Sequence, residues 1–214
     1  RFPTEAIGAA WSVAPSAYPD LVNRWRPEDV ARFLEGKDSP PTFEGAVARV
    51  WDRLDTLLEL GRDCETVALA TWAVATYFFP AFLAFPRLDL RGERQSGKSK
   101  TLDILSVLTF NGLGYTAPTT AILFRLAHRL RPTFCLDEIE GLDREERKEI
   151  LSIINRGYTI GGRVPRCEGD ENVVRSWDIY CPIAMAGIAG LNRVTEDRAI
   201  TIVMSRGKDP AKLN

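Results

Sequence analysis

Gly92-Glu93-Arg94-Gln95-Ser96-Gly97-Lys98-Ser99 is the stretch on which the reading of this chain turns. It fits GxxxxGK[ST] at every fixed position, a match that average residue frequencies allow in roughly one unrelated chain in a hundred. Its flanks agree: Leu88-Asp89-Leu90-Arg91 reads as a strand leading in, and Thr101 to Leu108 as a helix leading out. Gly92 and Gly97 let the backbone bend until successive N–H groups face one point, and the helix start adds the positive end of its dipole. Such a turn is suited to an anion. The expected ligand is ATP, cradled by Gly92, Gln95, Ser96, Gly97, Lys98, Ser99 and Lys100. Lys98 would reach the β and γ phosphates, and the Ser99 hydroxyl would hold Mg2+.

A second element points to hydrolysis. Thr133-Phe134-Cys135-Leu136 is an apolar run that ends in Asp137-Glu138. A buried strand delivers its last residues to the sheet edge where ligands bind. Asp137 is thus expected to hold magnesium through its water shell, and Glu138 to orient and deprotonate the attacking water.

From Arg87 onward, short apolar runs alternate with helical stretches, the pattern of βαβ units. Strands are expected near 87–91, 112–116, 133–137, 182–188 and 199–204, with helices near 98–109, 119–130 and 143–156. Upstream, Phe43, Val47, Val50, Leu54 and Leu57 recur at helical spacing, with Gly61 as the expected stop. Val67 to Phe85 is an uncharged run of 19 residues, long enough to count as a membrane-span candidate. Pro80 interrupts it and the glycine-rich loop follows closely, so it is read as a buried helix. The expected organisation is an irregular or short-helical, proline-rich lead-in over 1–41, a helical segment over 42–86 and the ATPase core over 87–214.

Composition sets limits on function. The chain has 214 residues, 45% of them hydrophobic, and 28 Lys and Arg balance 29 Asp and Glu for a net charge of −1. That excludes wholesale disorder, and it excludes a general cationic field that would draw the chain to nucleic acid or an anionic membrane. Cys64, Cys135, Cys167 and Cys181 form no CxxC pair, and His128 is the only histidine, so neither a zinc site nor a disulfide framework is expected. The expected compartment is the reducing cytoplasm, with no membrane partner. Beginning at Arg1 rather than Met, the chain reads as a fragment or processed form.

The glycine-rich loop, the Leu136-Asp137-Glu138 triplet, the strand Pro182 to Ile188 and the stretch Thr195 to Arg206 follow the order found in AAA+ ATPases, which the chain resembles. More narrowly, TWAVATYFF, LDEIEGL, INRGYTIGG and EDRAITIVMSR are similar to a domain of unknown function. That domain accompanies primase or helicase-like modules in phage and plasmid replication proteins. The resemblance covers roughly 67–206. It implies an α/β P-loop NTPase fold of AAA+ type, a five-stranded parallel sheet flanked by helices, and a homo-oligomeric ring such as a hexamer that works as a helicase-like motor on DNA. It also implies an arginine finger at Arg198, with Arg193 and Arg206 as competitors, and a polar sensor at Asn192. The resemblance also calls for a helical lid after Arg206, which either lies outside this stretch of sequence or is replaced by the helices between 43 and 85.

Arg163 to Glu168, Gly169 to Asn172 and Val173 to Trp177 read as two strands and a turn, a β-hairpin insertion. Two uses stay open. Arg163, Arg166 and Arg175 can touch a phosphate backbone while Trp177 stacks on a base, or the hairpin is structural or intersubunit, since Asp170 and Glu171 make its turn acidic. His128, and Asp143 to Glu149, read as solvated helix positions. Two other functions remain: a nucleotide-dependent assembly or signalling switch that moves no nucleic acid, and a small-molecule kinase, for whose acceptor pocket and lid the sequence has no motif.

Overall fold

Charged and apolar residues alternate through Arg87-Leu88-Asp89-Leu90-Arg91, and a strand resolves that alternation by sending the two sets to opposite faces of a sheet. The computed structural model describes residues 27–39, 41–168, 173–187, 193–209 and 212. Its strands, in chain order, are β1 (Arg87–Gly92), β2 (Leu113–Thr116), β3 (Phe134–Asp137), β4 (Arg163–Glu168), β5 (Val173–Asp178), β6 (Ile183–Gly187) and β7 (Ala199–Met204). Five of them form one sheet in the order β2-β3-β6-β1-β7, with every pairing parallel. The other two, β4 and β5, pair antiparallel as a separate hairpin.

The helices are α1 (Pro27–Leu34), α2 (Phe43–Leu57), α3 (Asp63–Ala75), α4 (Lys98–Leu108), α5 (Thr120–Leu130), α6 (Arg144–Arg156) and the short α7 (Arg193–Glu196). Their starts follow local chemistry. Thr42 and Thr119 accept the amides of Gly45 and Ile122, and Asp143 accepts those of Glu145 and Glu146, so each helix begins where a side chain satisfies an orphan donor.

Contacts divide the chain into Arg1–Pro40 and Pro41–Asn214. In the first unit α1 is followed by a turn in which the Arg32 guanidinium grips Asp38 at 2.7 and 3.1 Å. In the second, the helical segment over 42–86 shares one core with the sheet. Leu54, Leu58, Leu69, Trp72 and Phe79 pack together with Leu88 and Leu90 of β1, Leu102 and Leu105 of α4, and Ile202 of β7.

Two expectations are corrected here. Gly61 does not stop α2; the helix ends when Leu58 turns to extended backbone and drops its side chain, 4% exposed, into the core. Nor is 67–85 one helix. The α-helix ends at Ala75, Thr76–Ala81 winds as a 3-10 turn, and the chain then extends to an isolated bridge between Ala84 and Thr159. Pro80 has no amide to continue the α-helical pattern. The Tyr180 hydroxyl lies 3.0 and 2.7 Å from the carbonyl oxygens of Phe79 and Phe82, anchoring the altered path. Among the described residues no helix is long and apolar enough to cross a membrane.

The second face of β1 is ionic. Arg87 is 1% exposed, and its guanidinium donates to the carbonyls of Cys181 and Ile154, each at 2.5 Å. Burial without a carboxylate partner pushes its pKa down to about 10. Asp89 is also buried and pairs with Arg91 at 2.5 Å, while Arg91 reaches Glu196 of α7 at 2.6 Å. Desolvation pushes the Asp89 carboxyl up, against the pull of Arg91.

Packing separates the four thiols. Cys64 and Cys167 are exposed, whereas Cys135 and Cys181 are buried, and burial pushes the Cys181 thiol up to about 12. Titration with an aromatic disulfide reagent is therefore expected to modify two thiols in the native protein and all four after unfolding in guanidinium. Rapid modification of a third native thiol would contradict the packing around β3 and β6.

Candidate functional site

Because the sheet is parallel, β1, β3, β6 and β7 deliver their last residues to the same edge. Gly92 closes β1 beside Met204 of β7, where a Cβ would stand 2.3 Å from the Met204 carbonyl oxygen; the approach demands glycine. The loop then turns through two left-handed residues, Gln95 at φ 63° and Gly97 at φ 84°, and α4 begins at Lys98. Amides that open a helix have no intrahelical acceptor, so those of Lys98 and Ser99 stand at the positive end of α4.

Lys98 lies back over this loop. Its ammonium donates to the carbonyls of Gly92 and Glu93, each at 2.7 Å, and sits 3.4 Å from the Ser96 hydroxyl. The Gln95 side-chain oxygen accepts from the Arg206 guanidinium. The Lys100 ammonium points elsewhere, to the Lys212 carbonyl at 2.8 Å, which leaves only backbone contacts to the role expected of it.

Across from the loop, β3 ends in Asp137, whose carboxylate accepts the Glu138 amide at 2.9 Å. Glu138 is exposed and adopts φ 55°, a left-handed conformation that a residue with a Cβ enters only at a cost. Gln95, Lys98, Ser99, Asp137 and Glu138 all line one cleft of about 590 Å³, with Gly187 at the end of β6 between them. The arrangement sets the Lys98 ammonium, the Arg94 guanidinium, the helix-start amides and the Ser99 hydroxyl on one side against the carboxylates of Asp137, Glu138 and Glu140 on the other. It suits a polyphosphate carried with Mg2+, which takes hard oxygen ligands from few protein groups. Among the described residues no three His, Cys, Asp or Glu converge on a metal position, so a divalent ion here needs oxygens from the phosphate chain.

The remaining expected residues are not brought to this cleft. Arg198 lies at the opposite edge of the sheet, where its carbonyl accepts the Arg87 amide at 2.9 Å. Its guanidinium donates to the Asn155 carbonyl at 2.8 Å and lies 5.4 Å from the Tyr158 ring centroid, closing the C-terminal end of α6. Asn192 and the hairpin turn 169–172 fall outside the described residues.

Two observations bear on the two uses left open for the hairpin. Trp177 is 6% exposed and packs on α5, its ring centroid 5.4 Å from that of Phe124 and 5.2 Å from that of His128, so it has no face to offer a base. The arginines do not form one patch either. Arg163 is registered with Asp178, while Arg166 pairs with Arg175 on the other side of the pleat, and Arg166 lies over the Phe124 ring at 5.6 Å. His128 is exposed, as expected of a solvated helix residue, and also anchors the hairpin: its Nδ1 accepts the Asp178 amide at 3.1 Å. Phe124 and His128 are four residues apart on α5, the spacing that brings two side chains onto one helix face.

No protein-family model matches the chain, and no curated protein matches it in sequence.

Strain at Glu138 gives a measurable consequence. Glu138→Gly removes the Cβ from a left-handed position and is expected to raise the melting temperature, with a gain of order 1 kcal/mol. Any activity that depends on the carboxylate would be lost in the same variant. A lower melting temperature would show that this backbone geometry does not govern stability at the position.

Proposed function

We propose that the chain binds MgATP in the cleft beside the Gly92–Ser99 loop and hydrolyses it, as one subunit of an oligomeric AAA+ type ATPase that works on DNA. The observation that carries the reading is the placement of Lys98 and Ser99 opposite Asp137 and Glu138 in one cleft at the strand ends. Composition alone would not select it. The glycine-rich motif, the acidic strand end and the sheet edge agree independently.

In this reading the Lys98 ammonium exchanges two neutral carbonyls for phosphate oxygens, a stronger charge-assisted contact. Helix-start amides at Lys98 and Ser99 hold the phosphates in place. Bound Mg2+, held by Ser99 and through water by Asp137, would neutralise charge on the phosphate chain. Glu138 orients a water and takes its proton as the water oxygen bonds to the γ phosphorus. The bond to the β–γ bridging oxygen breaks, and ADP leaves with that electron pair.

A neighbour's Arg198 is the proposed trans residue; to act there it must give up its bonds to Asn155 and Tyr158. DNA contact rests on one exposed arginine on each face of the hairpin, Arg163 or Arg175, and on the resemblance to replication modules. The cis bonds of Arg198 favour a second reading, in which ATP sets assembly without driving movement.

The test is the steady-state ATPase rate over a series of protein concentrations, with and without single-stranded DNA. Lys98→Ala should abolish turnover by weakening binding, and Glu138→Gln should keep binding while cutting turnover by roughly 10²- to 10⁴-fold. Specific activity should rise with protein concentration and fall in Arg198→Ala if Arg198 acts in trans. ATP turnover indifferent to Lys98 would defeat the proposal, and Lys98-dependent turnover indifferent to DNA would favour the assembly reading.

A further inference from the structure

We propose that Arg206 belongs to the nucleotide site of its own chain: a cation held by Gln95 that moves onto phosphate oxygens when nucleotide enters. The proposal rests on the MgATP reading and adds a residue that the loop motif does not contain.

Backbone geometry brings Arg206 to the loop. Strand β7 ends at Met204, whose carbonyl sits so close to Gly92 that only glycine fits, so the chain leaving β7 passes beside the glycine-rich turn. Its onward path is fixed as well. The Glu59 carboxylate accepts the amides of Lys208 and Asp209, both at 2.7 Å, and the Lys100 ammonium binds the Lys212 carbonyl. Arg206 thus stands between two tethered points, with its guanidinium on Gln95, a residue that itself lines the cleft.

The choice of partner is informative. Arg32, Arg62, Arg91 and Arg131 all pair with carboxylates. Arg49, Arg87, Arg166 and Arg198 rest on backbone carbonyls away from the loop; Arg206, exposed, has its neutral partner in Gln95, a residue of the cleft, and, among the described residues, no ion pair. Lys98 beside it is likewise held on neutral carbonyls. A neutral acceptor orders a cation while leaving it exchangeable, because a phosphate oxygen forms the stronger contact and a guanidinium can take two such oxygens at once. Beside Arg94, which lines the cleft directly, the loop therefore holds two cations on exchangeable neutral contacts, Lys98 from within the motif and Arg206 from the end of β7.

Arg206 differs from a trans finger in a measurable way: its contribution is intramolecular and does not depend on protein concentration. MgATP and MgADP affinities are measured by calorimetry for the wild-type chain, Lys98→Ala, Arg206→Ala, Arg206→Lys, Gln95→Ala and the Gln95→Ala/Arg206→Ala pair, at two protein concentrations. Arg206→Ala is expected to weaken MgATP binding about 10- to 100-fold, the usual range for a lost hydrogen bond to a charged group. Arg206→Lys should recover part of the loss, and the Arg206→Ala penalty should persist in the Gln95→Ala background at both concentrations. Melting curves without nucleotide should be unchanged for Arg206→Ala, since the side chain is exposed.

A wild-type chain that binds MgATP just as tightly after Arg206→Ala overturns this inference and leaves the MgATP reading standing. A penalty that vanishes once Gln95 is gone also overturns it, because Arg206 would then only brace the loop. A wild-type chain that fails to bind MgATP overturns the MgATP reading itself.

Discussion

Strand β1 is paired along both edges, to β6 and β7, and its two faces have opposite chemistry. Leu88 and Leu90, both fully buried, face α3 and α4 through one apolar core, while Arg87 and Asp89, equally buried, carry charge on the other side. Everything at the site depends on this strand being held. It fixes where Gly92 leaves the sheet, how closely Met204 approaches, and where α4 begins. Burying Arg87 and Asp89 is costly in itself, and the structure offsets that cost with two backbone carbonyls for one and Arg91 for the other. Losing either set of partners would strand a buried charge at the centre of the sheet.

Several cations in this chain rest on neutral oxygens, and burial separates their roles. Arg87 is enclosed; its carbonyl partners have no competitor, and it ties the end of α6 to the segment entering β6. Arg198, half-buried, closes the same end of α6 from the approach to β7. Lys98 and Arg206 form similar neutral contacts at the opposite edge, where solvent and solutes reach them. The same bond type is enclosed in the interior and open to solvent at the cleft, where the proposed reading makes it exchangeable.

Sequence alone located the elements whose causes are local. The glycine-rich turn, the acidic end of β3 and all five parallel strands came from short-range pattern, and each appears within a residue or two of its expected place. What escaped depends on contacts between distant segments. The 3-10 turn at Pro80 is set partly by Tyr180, about a hundred residues away. Burial of Trp177 required knowing that the hairpin folds onto α5, and the helical spacing of Phe124 and His128 was the available clue. Alternation along β4 already puts Arg163 and Arg166 on opposite faces, and only the register against β5 shows that Arg175 joins Arg166. Arg206 was legible as a competitor for the arginine finger, but its contact with Gln95 was not, because that contact joins residues 111 positions apart.

Strand order explains why the two halves of the cleft can cooperate. Between β1, which feeds the loop, and β3, which carries Asp137 and Glu138, lies β6. Neighbouring strands stand about 4.8 Å apart, so the ends of β1 and β3 are separated by roughly 10 Å. Were the two adjacent, the carboxylates would crowd the loop and compete with a phosphate for Lys98. At the end of β6, Ala186 and Gly187 line the gap, both small residues. That spacing leaves room for a terminal phosphate and a water between the loop and Glu138, the two species the proposed reaction must bring into line.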